Sequence, residues 1–254
     1  MSRGLRTNQT DGAPMRRAAR KLIRIYAQLV RSEKHLLADL LKGQVPGQWE
    51  HYPTDDAISS SGRYQWFYHS HSPEDRSGNM EHGHFHLFAR MEATADTLDI
   101  ESERQFLAAL GVEDRTATTR HLLCIGVNSV GLPISLFTVN SWVTGDSLLS
   151  GKATQWLLQE LQLDTGYPAI DAWIMALIDL YAPEIRSLIV TRDKTLQKRA
   201  TLGPGAFDDE TLEVLSEYSL DVDQRIAAMT LPLAPRPVSA TTESRSVRRT
   251  SSVT

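Results

Sequence analysis

Cysteine is nearly absent from this chain of 254 residues. The single thiol, Cys124, sits in the apolar run Leu122-Leu-Cys-Ile125. One cysteine excludes a disulfide framework, and its surroundings read as a buried, inert thiol rather than a nucleophile. Long apolar runs are missing as well. None approaches the ~20 residues needed to cross a bilayer, and no signal-peptide core is visible, so neither secretion nor membrane insertion is expected. A dominant charge is lacking: a formal net charge of −4 is too small to imply a class of partner. There are no phosphate-cradling glycine motifs, no crossover pattern of a dinucleotide-binding fold and no internal repeats. What is present is a globular composition, 41% hydrophobic, too apolar for wholesale disorder.

Two stretches depart from that composition. Residues 1–12, and residues 231–254 with their Pro, Ser, Thr and Arg, read as unstructured. Residues 13–230 read as one α+β domain. Pro14 opens a long N-terminal helix to about Lys42. Gly43 to Gly62 reads as a loop, punctuated by Pro46 and Pro53. Arg63–His71 and His82–Met91 read as strands around a polar loop, and a short helix ends at Gly111. Arg120–Val127 and Leu132–Asn140 read as a hairpin. The C-terminal half reads as helical: Thr144 to about Leu163, an apolar segment from Pro168 to Tyr181, a basic helix after Pro183, and a last helix over Glu210–Met229. The expected architecture is thus an antiparallel sheet of about four strands, with a long N-terminal helix and a helical C-terminal half.

The N-terminal helix is basic. Arg16, Arg20, Arg24 and Arg31 share a stripe opposite Met15, Leu22, Ile25 and Leu29. That pattern suits a solvated face of a helix docked by its apolar side, so no nucleic-acid or membrane partner is expected. Asp171 and Asp179 interrupt the apolar helix, and buried carboxylates need partners; Arg186 and Arg192 are the candidates.

The dominant feature is a histidine cluster. Of eight histidines, His69, His71, His82, His84 and His86 fall within one short stretch. Side chains two residues apart on a strand point to the same face. If opposed residue numbers sum to a constant that pairs His69 with His84, one face carries Gln65, Phe67, all five histidines and Phe88. The other carries Tyr64, Trp66, Tyr68, Gly83, Phe85, Leu87 and Ala89 and is the core face. A slip of one residue would bury imidazoles among aromatics. Two or three imidazoles, completed by a carboxylate or water, form a site for a divalent transition metal, zinc or iron first among them. Glu81 adjoins the comb, but its strand parity points away; Glu50, Asp55, Asp56 and Glu74 lie in flanking loops. His121 reads as an edge residue and His35 as exposed.

His82-Gly-His-Phe-His-Leu-Phe88 also resembles the signature of the histidine-triad nucleotide hydrolases and transferases. That resemblance implies a catalytic role for His84 as the nucleophile on a nucleotide α-phosphate. It covers seven residues, Gly83 departs from the pattern, and His69 and His71 have no part in it. The wider set His51-Tyr-Pro-Thr-Asp-Asp56, Tyr68-His-Ser-His71, Glu81 to Phe88, Phe137-Thr-Val-Asn140 and Trp142-Val-Thr144 resembles an uncharacterised bacterial protein family across about residues 15–230. That resemblance implies a bacterial cytoplasmic protein and carries no activity. Three readings stand open: a metal site acting on a small-molecule substrate by hydrolytic or oxidative chemistry, phosphate transfer through His84, and a non-catalytic structural or protein-binding module. Oligomeric state and reaction are not legible at this level.

Overall fold

The computed structural model describes residues 12–71 and 81–230. Apart from Gly12, the termini expected to be unstructured lie outside these residues, and so does the loop segment 72–80 that carries Glu74.

Six strands pair in chain order as an antiparallel meander: β1 (Tyr52–Ile58), β2 (Tyr64–Ser70), β3 (Gly83–Arg90), β4 (Thr119–Val127), β5 (Pro133–Val139) and β6 (Val214–Ser219). The helices are α1 (Gly12–Arg31), α2 (Ala38–Leu41), α3 (Met91–Thr94), α4 (Ile100–Leu110), α5 (Ser141–Thr144), α6 (Gly151–Gln159), α7 (Pro168–Leu180), α8 (Ala182–Ala200) and α9 (Val222–Thr230). The class is α+β, but the sheet has six strands rather than about four.

The two extra strands are its edges. β1 lies within the expected loop. Its sequence Tyr-Pro-Thr-Asp-Asp-Ala-Ile gives little strand signal, and proline and charge are what an edge strand tolerates. β6 lies within the expected last helix. Leu212, Leu215 and Val222 fit a helical period, yet Leu136 and Thr138 of β5 pair with Tyr218 and Ser216, and tertiary pairing overrides the local pattern. Two expected helices also differ in extent. The first stops at Arg31, and Glu33 turns the chain with a left-handed φ of 52° before α2 buries Leu40 and Leu41. The helix expected from Thr144 begins late, at Gly151, and Thr144 itself is the last residue of α5. Asn140 caps α5, Gly145 ends it, and the Ser150 side chain caps α6 by accepting from the amide of Ala153.

One face of the sheet packs on helices. Tyr64, Trp66 and Tyr68 of β2, Phe85 and Leu87 of β3, and Leu123 and Ile125 of β4 share a core with Leu22 of α1, Trp173 and Leu177 of α7 and Ile189 of α8. Arg16, Arg20, Arg24 and Arg31 stay exposed on the outer side of α1. Asp171 is buried on α7, where Trp66 and Thr165 rather than an arginine satisfy its carboxylate. It accepts hydrogen bonds from Trp66 Nε1 at 3.0 Å and from the amide and hydroxyl of Thr165 at 2.7 and 2.8 Å. Arg192 pairs with its neighbour Asp193 instead.

The apolar face sets the register. Tyr64 opposes Ala89, Trp66 opposes Leu87, Tyr68 opposes Phe85, and His69 opposes His84. Keeping aromatics together on the helix-covered side leaves Phe67, His69, His84, His86 and Phe88 on the other.

Candidate metal centre

That second face is buried too, though less completely than the first. His69, His84 and His86 are 8%, 4% and 2% exposed. Their Nε2 atoms converge on one point: His69 to His84 is 2.8 Å, His84 to His86 is 2.9 Å, and His86 to His69 is 3.3 Å. Hydrogen bonds alone cannot close this triangle. Each Nε2 carries either a proton or a lone pair, so at least two of the three are alike and must repel. A cation at the centre removes the conflict, because all three then present lone pairs to it. At metal–nitrogen distances of about 2.0–2.1 Å, ligand nitrogens lie about 2.9 Å apart at right angles and about 3.4 Å apart at the tetrahedral angle. The spacings of 2.9 and 3.3 Å fall in that range, and that of 2.8 Å sits at its lower edge.

The Nδ1 atoms of His84 and His86 are engaged behind this point. His84 Nδ1 lies 2.8 Å from Glu81 Oε1, a contact that holds the proton on Nδ1 and frees the Nε2 lone pair. Strand parity points Glu81 away, but β3 begins at Gly83, so parity does not govern residues 81 and 82. The two trade places. Glu81 enters the cluster, while His82 turns to Tyr68 of the core face, 2.6 Å from its hydroxyl. Two glycines clear the space. A Cβ on Gly126 would lie 2.7 Å from Glu81 Oε2, and one on Gly83 would lie 2.2 Å from the carbonyl oxygen of His69.

His86 Nδ1 lies 3.2 Å from His121 Nε2 and 3.4 Å from Cys124 Sγ, which is itself 3.3 Å from His121 Nε2. His121 and Cys124 are three residues apart, so a regular strand would put them on opposite faces. A bulge between β3 and β4 corrects this: Leu87 opposes Leu123 but Phe88 opposes His121, leaving Leu122 as the inserted residue. Burial, then repulsion from His121, His69, His51 and His71, holds the His86 imidazole well below its usual range. Burial first, then Arg192, pushes His121 down to about 3. Both rings are therefore neutral near pH 7, as a ligand must be.

His71 is half-buried at the rim, its Nε2 3.2 Å from His84 Nδ1. Trp49, 61% exposed and left-handed at φ 63°, meets the rings of His69 and His71 edge-on. His51 stacks on Phe67 and contacts Asp56 at 2.9 Å. Of the five histidines singled out by spacing, the structure gathers His69, His84 and His86 at one point, sets His71 beside them and turns His82 away. His121, Cys124 and Glu81 escape sequence reasoning. The bulge that admits the first two has no sequence signal, whereas adjacency to His82 was a usable hint for Glu81. Asn140 and Trp142 bond to the segment Ala206–Leu212 and serve capping and packing.

The model of a protein family described as Domain of unknown function (DUF6969) matches residues 16–220, most of the chain. No curated protein and no solved structure matches it.

Proposed function

The chain belongs to the DUF6969 family, and we propose that its histidine face is a divalent transition-metal site held by Nε2 of His69, His84 and His86. The observation that carries this reading is the nitrogen triangle, which no assignment of protons satisfies. Zinc and iron suit three neutral imidazoles. Three protein ligands leave further positions for water or substrate, the arrangement of a reactive rather than a purely structural site. A metal-bound water would support hydrolysis, and iron would support oxidative chemistry on a small molecule. Glu81 fixes the tautomer of His84. Trp49 and His71 sit where a substrate would arrive. We place the protein in the cytoplasm and expect no nucleic-acid partner, since the arginines of α1 are the outer side of a docked helix.

Metal analysis of untagged protein tests the proposal. Wild type should retain zinc or iron, and His84→Ala should lose the metal at this point while the core face keeps the protein folded. Wild-type protein that is metal-free and unresponsive to added Zn, Fe, Ni or Cu overturns it. Loss of nucleotide turnover by His84→Ala, in protein that never held metal, would establish phosphate transfer through His84 instead. A drop in stability alone, about 1–3 kcal/mol from a polar partner left unpaired, would make the cluster structural.

A further inference from the structure

We propose that the chain holds a second metal ion, bound by His86 Nδ1, His121 Nε2 and Cys124 Sγ, with the His86 ring bridging the two ions; this rests on the first site being a metal site. The three atoms form a nearly regular triangle of 3.2, 3.3 and 3.4 Å. With metal–nitrogen bonds near 2.0–2.1 Å and metal–sulfur near 2.3 Å, neighbouring ligand atoms fall roughly 2.9–3.6 Å apart. His86 is fully buried between the triangles and offers one nitrogen to each. The β4 bulge gives up a regular ladder step and thereby brings His121 onto the face of Cys124.

The donor sets differ in a way that suits two ions. The first point has three neutral nitrogens with Glu81 behind them. The second has a thiol, which selects a thiophilic ion, zinc or copper. Binding a divalent ion there displaces the thiol proton of Cys124 and the Nδ1 proton of His86, and both leave to solvent. The thiolate and imidazolate so formed offset the charge of an ion in a pocket whose ligands are at most 2% exposed. Hydrogen bonds offer the competing account. A thiol can donate to His121 Nε2 while accepting from His86 Nδ1–H, so this triangle, unlike the first, closes without an ion.

Counting metal separates them. The full-length untagged chain is produced in cobalt-supplemented, zinc-depleted medium, desalted, and measured for cobalt per chain and for absorption. Two cobalt ions per chain are expected, together with a thiolate-to-cobalt charge-transfer band in the near ultraviolet. Cys124→Ser should lose one equivalent and the band while keeping the other equivalent. One cobalt without the band overturns the second site and leaves the first standing. Two cobalt ions without the band, or a band that persists in Cys124→Ser, place the second ion elsewhere and also overturn it. No cobalt, in protein that also takes up no Zn, Fe, Ni or Cu, overturns the reading on which it rests. If Cys124→Ser does not fold, stoichiometry and band in the wild type decide alone.

Discussion

Strands β2 and β3 have two buried faces, and polar atoms are treated in opposite ways on them. On the helix-covered face each polar tip has its own partner. Tyr64 donates to the Leu157 carbonyl at 3.0 Å, Trp66 donates to Asp171 at 3.0 Å, and Tyr68 meets His82 at 2.6 Å. On the histidine face three nitrogens share one point and two share another with a thiol. The first face is a packing solution complete in itself. The second converges three Nε2 atoms beyond what protons can reconcile, and that is the ground for proposing an ion there. The difference teaches that burial by itself does not distinguish core from site. The pattern of partners does.

The comparison breaks most visibly at Trp66. Truncation to Ala removes the largest ring of the core face and one of the donors to Asp171. A loss of about 3–5 kcal/mol is expected, read as a fall in the urea midpoint of metal-free protein. A variant with an unchanged midpoint would mean that the helix-covered face is not the one that holds the fold.

Acid should act on the other face. His121 and His86 titrate in the folded chain far below the unfolded value of about 6.5. Below that value the unfolded chain binds more protons, so the stability is fully present above it and is lost as pH falls. Each neutral histidine contributes a slope of about 1.4 kcal/mol per pH unit in this window. Asp56 and Asp146, raised by burial, act in the opposite sense toward the acid end. The thermal midpoint of metal-free protein should therefore drop steadily between about pH 6.5 and about pH 5. A flat profile would show that these rings are not held neutral.

The smallest expected effect sharpens the contrast. Glu81→Gln keeps three ligands but replaces the carboxylate behind His84 by an amide. Metal affinity should weaken about 10–100-fold, measured by competition with a chelator, while the urea midpoint of metal-free protein moves little. Equal affinities would reduce Glu81 to a bystander at 2.8 Å from His84 Nδ1.

Much of this is legible in the sequence. Aromatics at 64, 66 and 68 and apolar residues at 85 and 87 share a face only in registers of one parity, and the register observed in that set opposes His69 and His84. The edge strands were not legible. β1 has an edge composition, and β6 mimics a helix until β5 pairs with it. His82 was misplaced for a related reason. Alternation holds only while the chain is extended and paired, and it lapses just before Gly83.

Gathering His69, His84 and His86 on one strand face was already written into the order of residues 64–88, because strand alternation is local and the greasy side fixes the parity of the pairing. The arrival of His121 and Cys124 and the room for Glu81 came from pairing with β4. They required an inserted residue at Leu122 and a missing side chain at Gly126. Those are properties of pairing between segments some forty residues apart, and a bulge or a cleared volume acquires its meaning only when the partner strand is in place.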